Sequence, residues 1–185
     1  METHDLSAPV LLGAGSRDGD RMAHMAAAVR ALADRGVAAR RLSSLFETEP
    51  VGLPGARPLL NGVVELTQAP PPRELLRLCL EVESSLGRRR SDHPPGVPDT
   101  GPRPLDLDLL LHGSIVLDEP GLVVPHPRLH LRRFVLVPLA EIAPHAWHPG
   151  LGQDMATLLA RCQDGAWVRP FATAQAWADA AAALK

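Results

Sequence analysis

The chain has 185 residues, 45% of them hydrophobic and 22% charged, with a formal net charge of −2. A chain of this size and composition can bury one substantial core, which excludes disorder as its main state. The balanced charge and an aromatic content of 3% disfavour a protein that binds nucleic acid. Residues 1–5 are acidic and no apolar run is long enough to span a bilayer, so we expect a cytoplasmic protein without membrane contact.

Cysteine and lysine are both scarce. Two cysteines, Cys79 and Cys162, make a poor disulfide framework, and Cys79 lies on an apolar helical stripe, so we expect reduced, buried thiols. Lys185 is the only lysine, so arginine supplies 18 of the 19 basic side chains. Any anion-binding site must therefore use the planar guanidinium group.

The apolar pattern predicts strands and helices over the first 112 residues. In chain order we expect a strand over 8–15, a helix from about Asp20 to Gly36, strands over 37–46 and 59–66, a helix over 72–86 and a strand over 105–112. This order is typical of ferredoxin-like α+β domains. The sequence therefore predicts a βαββαβ antiparallel sheet flanked by helices, in three layers α/β/α.

Three further helical segments follow the predicted sheet. They lie near 131–142, with Pro138 inside, near 153–162, and over the alanine-rich residues 174–184. No internal repeat or break in composition marks a second domain. We therefore expect one domain over 1–165, followed by a helical C-terminal extension over 166–185.

The segment Leu-Asp-Leu-Asp-Leu over 105–109 is the strongest indication of chemistry. Because side chains alternate along a strand, Asp106 and Asp108 should share one face while the leucines enter a core. Two adjacent carboxylates repel one another unless a positive charge lies between them, and Mg²⁺ is the natural occupant. The alternative is the solvated outer face of an edge strand. Nearby arginines, at 88–90 and 103, favour a site for metal and phosphate.

Arginines at 88–90 follow a predicted helix, whose dipole accounts for any one of them. A run of three before a long proline-rich loop predicts a mobile flap that brings guanidinium groups to a ligand. The glycine-rich segment 13–19 lies between a strand and a helix, but its spacing departs from a dinucleotide fingerprint by one residue and it has no P-loop lysine. We interpret it as a tight connection, with Asp18 or Asp20 as the helix cap.

Histidines cluster in the C-terminal half of the chain. His126 and His130 could bind zinc together with His145 and His148, although Pro127 argues against a helix there and no cysteine or carboxylate completes the set. Between two prolines, His126 is held rigidly, which suits contact with a phosphate or ribose as well as a structural hydrogen bond. We treat zinc as the minor alternative.

Taken together, these motifs resemble the 6-hydroxymethyl-7,8-dihydropterin pyrophosphokinase family of folate biosynthesis. The most specific blocks are Gly-Pro-Arg-Pro-Leu-Asp-Leu-Asp over 101–108 and Pro-His-Pro-Arg over 125–128. The resemblance runs from about residue 10 to 162, and its other blocks are 15–16, 19–21, 46–52, 60–61, 83, 86–88, 132–139 and 141–144. It implies a ferredoxin-like fold and transfer of pyrophosphate from ATP to the hydroxymethyl oxygen of the pterin, with release of AMP.

The resemblance also implies a role for each matching residue. Asp106 and Asp108 are expected to hold two Mg²⁺ ions, and Arg88 and Arg103 to act as catalytic residues that stabilise charge on the transferred group. The residues expected to bind ATP are Glu83, Arg90, His126, Arg132 and the backbone near Leu109. Those expected to bind the pterin are Thr48, Val51, Leu59, Asn61 and Phe134. We expect a monomer that acts on these small molecules.

Four features depart from the family pattern. Leu59 replaces an aromatic residue that usually sandwiches the pterin, Arg17 replaces an asparagine, Thr100 stands where some members have tryptophan, and the flap between 90 and 101 is longer and richer in proline. Residues after about 165 have no counterpart that we recognise. Two alternatives to an active enzyme therefore stay open, namely a degenerate protein that binds pterin or nucleotide without turnover, and an interaction module whose C-terminal helix docks a neighbouring folate enzyme.

Overall fold

A computed structural model of the protein describes residues 8–50, 57–88 and 104–184. Along the chain, its elements are β1 (Val10–Ser16), α1 (Arg21–Ala33), β2 (Ala39–Leu42), β3 (Leu45–Thr48), β4 (Leu59–Leu66), α2 (Pro72–Ser85), β5 (Asp106–His112), β6 (Leu117–Glu119), β7 (Leu122–Val124), a 3₁₀ turn (Leu129–Leu131), α3 (Arg133–Ile142), β8 (Trp147–His148), β9 (Gln153–Asp154), α4 (Met155–Arg161), β10 (Val168–Ala172) and α5 (Ala174–Ala183).

An antiparallel sheet of six strands organises the described residues. Its order is β10-β3-β4-β1-β5, and β2 also pairs with β4. In the centre of the sheet, Gly13 lies opposite both Val63 and Asp108, and Gly15 lies opposite both Asn61 and Asp106. Strands β6 and β7 form one small hairpin, and β8 and β9 form another. The register therefore places residues from three strands side by side near the end of β1.

Helices cover both faces of the sheet, with one core on each side. The sheet separates the two cores, because successive side chains of a strand point to opposite faces: in β1, Leu12 enters one core and Leu11 the other. The core under α1, α2 and α5 includes Leu12, Met25, Leu32, Leu75, Cys79, Val82, Leu105, Leu107, Leu109 and Trp177. The core under α3 and α4 includes Leu11, Val63, Leu110, Leu129, Leu136, Leu139, Met155 and Leu158. The result is a mixed α/β protein with a central antiparallel sheet.

Helix α1 begins where its capping residue predicts. The Asp20 carboxylate accepts a hydrogen bond of 3.0 Å from the Ala23 amide at the start of α1, so Asp20 rather than Asp18 is the cap. Strand β1, however, continues to Ser16. Gly13 and Gly15 are therefore strand residues, as the predicted strand over 8–15 has them, and the tight connection predicted over 13–19 begins only after Ser16. Among the described helices, none has the length and apolarity that would be needed to cross a bilayer.

The predicted strand over 37–46 is divided into β2 and β3 at Ser43 and Ser44. The buried Ser43 hydroxyl accepts a hydrogen bond of 2.8 Å from the Val63 amide. The Ser44 amide and hydroxyl donate to the carboxylate of Glu141, in α3, at 3.0 and 2.7 Å. The Ser43 amide still donates to the Val63 carbonyl at 2.9 Å. The ladder between these strands and β4 is nevertheless interrupted, because the Val63 amide bonds to the Ser43 hydroxyl and the Ser44 amide bonds to Glu141. The apolar pattern gives no sign of this break.

Residues 168–184 contribute to the same sheet and the same core. Strand β10, which the apolar pattern does not predict, pairs with β3, and α5 packs on α1. Trp177 is completely buried against β4, where Gly62 makes room for it: a Cβ atom at Gly62 would lie 2.8 Å from the Trp177 ring. The proposed boundary between 165 and 166 stays a prediction.

The two cysteines differ in environment. Cys79 is fully buried in α2, and burial raises the pKa of its thiol to about 12, with the Glu83 carboxylate adding to the shift. Cys162 is partly exposed, and both thiols are free. Cys79 therefore acts as a small apolar side chain of the core.

The buried position of Trp177 predicts a large effect on stability. We expect Trp177→Ala to lower the free energy of unfolding by about 3–5 kcal/mol, because it removes a fully buried indole and leaves a cavity. The matched control is Trp147→Ala, since Trp147 is 59% exposed in β8 and its loss should cost less than about 0.5 kcal/mol. Urea unfolding measures both, and equal effects would contradict the assignment of Trp177 to the core.

Candidate active site

A cavity of about 140 Å³ lies on the α3 side of the sheet, where the ends of β1, β4 and β5 meet the start of α3. Its walls come from four elements that are distant in sequence. The lining residues that matter most are Gly13, Gly15, Leu59, Asn61, Asp106, Asp108, Arg132 and Phe134. The cavity therefore brings together residues predicted to bind metal, ATP and the pterin.

The two glycines of β1 form the floor of this cavity. A Cβ atom on Gly15 would lie 2.9 Å from Oδ1 of Asn61, and one on Gly13 would lie 3.4 Å from the Leu110 side chain. Any other residue at position 15 would displace the Asn61 amide. The sequence places both glycines at the end of the predicted strand over 8–15 and in the connection to α1, but this prediction gave them no role in a site. The signal was present, since Gly-Ala-Gly in a strand has the same period of two as Leu-Asp-Leu-Asp.

Asp106 and Asp108 share one face of β5, as the sequence predicts. Both side chains line the cavity, while Leu105, Leu107 and Leu109 enter the opposite core. Burial raises the pKa of the Asp108 carboxyl and the Asp106 carboxylate raises it further, against the opposing effects of His126, Arg132 and Arg88. The carboxylates therefore face a cavity beside cationic groups, which disagrees with the alternative of a solvated outer face.

Arg88, which follows α2, reaches the acidic pair on β5, the last strand of the described sheet. Its guanidinium group forms ion pairs with the Asp106 carboxylate and, at 3.0 Å, with the Glu83 carboxylate. Burial by itself would lower the pKa of Arg88, but the Asp106 and Glu83 carboxylates outweigh it and the pKa is raised. The guanidinium group is therefore held in its charged form next to the cavity.

Glu83 is buried beside the same strand, with 1% of its side chain exposed. Its Oε1 atom accepts a hydrogen bond of 2.7 Å from the Leu107 amide, between the two aspartates, and pairs with Arg88. Further along β5, the Leu110 carbonyl accepts a hydrogen bond of 3.0 Å from the His126 amide. These contacts occupy backbone groups that an edge strand otherwise leaves unpaired. Sequence reasoning assigned Glu83 to ATP and gave no sign of this contact to the backbone.

The other predicted ATP-binding residues surround the acidic pair. Nδ1 of His126 accepts a hydrogen bond of 3.1 Å from the Arg128 amide, and burial lowers the pKa of its imidazole against the opposing effect of Asp108. The Arg132 guanidinium lies over the Phe134 ring, 5.5 Å from its centre. The Leu109 side chain is buried in the core, so only its backbone, paired with Leu12 of β1, could contact a ligand.

The residues predicted to bind the pterin meet on the β4 side of the cavity. Nδ2 of Asn61 donates a hydrogen bond of 2.7 Å to Oγ1 of Thr48, and both side chains are at least nine-tenths buried. Leu59 and Phe134 line the same cavity and are partly buried. Thr48 therefore orients the Asn61 amide, whose Oδ1 faces Gly15.

Some predicted residues lie outside the described part of the chain. These are Val51, Arg90 and Arg103, together with Arg89, Thr100 and the predicted flap between 90 and 101. The zinc alternative gains no support, because the described residues contain no group of three or more histidine, cysteine or carboxylate side chains arranged to hold a metal. The His130 and His148 rings are 6.3 Å apart, and His145 is next to Asp154 at 3.9 Å.

This geometry defines a class of protein before any comparison is made. A mixed α/β domain carries a cavity with a carboxylate pair, guanidinium groups on one side, and an amide with apolar walls on the other. Such a site suits a small ligand that combines a polyanion with a flat polar ring.

The family follows from a family model described as 7,8-dihydro-6-hydroxymethylpterin-pyrophosphokinase (HPPK), which matches residues 11–144. The chain belongs to this family. The match covers every element from β1 to α3 apart from the first residue of β1, and so includes all of the cavity residues named above.

Curated relatives agree with the family model. The chain is 41% identical over 129 residues to the 2-amino-4-hydroxy-6-hydroxymethyldihydropteridine pyrophosphokinase of Bacillus subtilis, covering 69% of this chain and 74% of that relative. For the protein of the same name from Porphyromonas gingivalis, the identity is 38% over 142 residues, covering 76% and 93%. An Arabidopsis thaliana folate synthesis bifunctional protein is 36% identical over 133 residues, and the match spans only 26% of its length.

Solved structures show a similar fold. A Plasmodium falciparum HPPK-DHPS triple mutant superposes with a TM-score of 0.63 at 14% identity, covering 84% of this chain and 45% of that one. The wild-type Plasmodium falciparum HPPK-DHPS gives a TM-score of 0.62 at 12% identity, covering 83% and 44%. At these identities the likeness concerns the fold alone, and the chain spans less than half of those longer chains.

The buried Glu83 predicts a measurable loss of stability. We expect Glu83→Ala to lower the free energy of unfolding by about 3 kcal/mol, because it leaves the Arg88 charge and the Leu107 amide without this partner in a buried region. Glu81→Ala is the matched control on the same helix. Glu81 forms an exposed ion pair with Arg77, which contributes about 0.5 kcal/mol at most. If urea unfolding shows equal losses, the network is not buried as described.

Proposed function

We propose that this protein transfers the pyrophosphoryl group of ATP to the hydroxymethyl oxygen of 6-hydroxymethyl-7,8-dihydropterin, giving AMP and the pterin diphosphate, in folate biosynthesis. The observation that carries the proposal is the cavity in which Asp106 and Asp108 face Asn61 and Phe134, in a chain that belongs to the pyrophosphokinase family. The reaction forms a bond from the hydroxymethyl oxygen to the β-phosphorus. It breaks the bond from that phosphorus to the oxygen bridging to the α-phosphate, which leaves with AMP, and the hydroxyl proton is released to solvent.

The acidic pair has the chemistry to hold Mg²⁺. Carboxylate oxygens are the donors that this ion prefers, and it needs only one or two of them because waters and substrate phosphates complete its coordination. Gly13 and Gly15, opposite the pair, leave room that a side chain would fill. We propose that Asp106 and Asp108 hold two Mg²⁺ ions, which neutralise charge on the phosphates when bound.

Arginines and His126 are proposed to position the polyphosphate. Arg88 is already charged and oriented beside Asp106, so it can stabilise negative charge that develops on the transferred group, together with Arg103. Arg90, His126 and Arg132 are proposed to bind phosphate or ribose. These side chains orient and neutralise, and the protein forms no covalent bond to the substrate.

On the other side of the cavity, Asn61 is proposed to recognise the pterin ring. Because Nδ2 of Asn61 is engaged with Thr48, its Oδ1 is oriented to accept a hydrogen bond from a ring N–H group. Phe134 offers a face for stacking, with Leu59 as the second apolar wall. Backbone groups near Thr48 and Val51 are proposed to complete the pterin site.

Glu83 is proposed to act through its neighbours. Its carboxylate is buried and engaged with the Leu107 amide and Arg88, so it can hold the strand of the aspartates and the guanidinium group in place. For Leu109, we propose a contact between ATP and its backbone alone.

We propose that the fold is the ferredoxin-like βαββαβ arrangement, that the protein acts as a monomer, and that it works in the cytoplasm. The order β3-β4-β1-β5 with antiparallel pairing supports the first, because each βαβ unit of this arrangement is split by a strand of the other: β4 lies between β1 and β3, and β1 lies between β4 and β5.

The test of the function is AMP release from ATP and Mg²⁺, with and without 6-hydroxymethyl-7,8-dihydropterin. We expect AMP that depends on the pterin and on the metal. A folded protein that binds ATP but releases no AMP would instead be the degenerate binding protein considered as an alternative.

Neutralising either aspartate should abolish turnover while sparing the fold. We expect Asp106→Asn and Asp108→Asn to lower kcat/KM for AMP release at least about a hundredfold, since each removes a negative oxygen donor worth several kcal/mol in the transition state. Asp118→Asn is the matched control, because Asp118 is exposed on β6 and does not line the cavity. Undiminished activity in either cavity variant would refute the assignment of the metal site.

Leu59 predicts a pterin site that an aromatic side chain would improve. We expect Leu59→Trp to lower KM for the pterin about fivefold, because a stacking contact contributes about 1 kcal/mol beyond the area it buries. The KM for ATP serves as the internal control and should stay the same. An unchanged or higher KM for the pterin would show that Leu59 does not face the pterin ring.

A further inference from the structure

We propose that the C-terminal clamp, defined as residues 167–177, is a positioning element that holds the pterin-binding side of the cavity in place. The inference rests on the proposed function, whose site it deepens. The clamp lies beyond residue 144, where the family model ends, so the match to the family assigns it no role. Three sets of contacts connect it to the cavity.

The first contact is the pairing of β10 with β3. Val168 lies opposite Thr48 and Pro170 lies opposite Phe46, so β10 covers a strand that would otherwise be the edge of the described sheet. Thr48 in turn accepts the hydrogen bond that orients the Asn61 amide. The position of β10 therefore affects that of Asn61, because β10 pairs with β3, and Thr48 of β3 bonds to Asn61.

The second set of contacts involves Glu49 and Pro58. The Glu49 amide donates to the Trp167 carbonyl, and the Trp167 amide donates to the Glu49 carboxylate, both at 3.2 Å. The Arg21 guanidinium donates to the Pro58 carbonyl at 2.7 Å, beside Leu59 in the cavity wall. Glu49, after β3, and Pro58, before β4, therefore each have a fixed partner.

Phe171 connects the clamp to Arg21, the partner of Pro58. Arg21 also pairs with the Glu47 carboxylate, in β3, at 2.6 Å, and its guanidinium carbon lies 5.5 Å from the centre of the Phe171 ring. The ring therefore supports a guanidinium group that links β3 to Pro58. Phe171 is 47% exposed, so its substitution should leave the core intact.

The third contact lies behind the cavity. The buried Trp177 ring packs against Gly62, the residue next to Asn61, on the opposite face of β4. The clamp thus contacts β3, the Arg21 guanidinium that joins β3 to Pro58, and the face of β4 opposite Asn61. All three adjoin the pterin side of the cavity. None of these contacts involves Asp106, Asp108 or Arg88. The clamp should therefore affect pterin binding and leave ATP binding unchanged.

Phe171→Ala is the variant that tests the clamp. We expect its KM for 6-hydroxymethyl-7,8-dihydropterin to rise about two- to fivefold, the change that corresponds to loss of an exposed cation–π contact, while kcat and the KM for ATP stay the same. Phe171→Tyr keeps an aromatic face and should restore the wild-type KM. Trp147→Ala removes a comparably exposed aromatic residue far from the clamp and should change neither KM.

Amide hydrogen exchange of β3 supplies a readout that does not depend on turnover. In the full-length protein without ligand, we expect Phe171→Ala to accelerate exchange in residues 45–49, and Phe171→Tyr and Trp147→Ala to leave it unchanged. Faster exchange together with a higher pterin KM supports the clamp. Any of three results for Phe171→Ala overturns it: unchanged exchange, faster exchange with an unchanged KM for the pterin, or a KM for ATP that rises about as much as the KM for the pterin.

The same design separates the clamp from the proposed reaction. If wild-type protein releases no AMP with the pterin, the proposed function fails, and the dissociation constant of the pterin, measured by its fluorescence, takes the place of KM. In that case, weaker pterin binding by Phe171→Ala than by the wild type still supports the clamp. Equal affinities, or a wild-type protein that does not bind the pterin, overturn it.

Discussion

The mutual repulsion of two carboxylates on one strand is the constraint on which the rest of the site depends. Asp106 and Asp108 lie on the same face of β5, where burial and proximity both oppose ionisation of Asp108. The protein offsets this cost with charge and with space. Arg88, just beyond the end of α2, reaches Asp106, and glycines occupy the facing positions of β1, so no side chain from those positions crowds the pair.

The cavity is divided into two sides with separate mechanical supports. The acidic side depends on α2, because Glu83 holds both the Leu107 amide and Arg88. The side of Asn61 depends on β3 and β4, behind which the C-terminal strand and helix pack. A site that must align two different substrates benefits from this separation, since each side can be held rigidly by its own elements.

Much of the fold could be predicted from local patterns. Helices α1 and α2 follow from apolar periodicity, with the Asp20 cap at the start of α1 and prolines at the start of α2. Strand β4 follows from its apolar run and β5 from alternation. The division of β2 from β3 could not be predicted, because it depends on a contact between Ser44 and Glu141, 97 positions apart. Strand β10 could not be predicted either, because it pairs with the distant strand β3 and because its own sequence includes a proline, which is uncommon inside strands.

The sequence by itself determined the chemistry of the site. The period-two spacing places two aspartates on one face of any strand that contains them, and the arginine and histidine motifs identify the family. Only the tertiary structure decided how those groups are held: the partners of Glu83, the glycine floor opposite the aspartates, and the link from Thr48 to Asn61. The physical reason is that local periodicity fixes which face a side chain occupies, whereas its partners come from strands and helices far away in sequence.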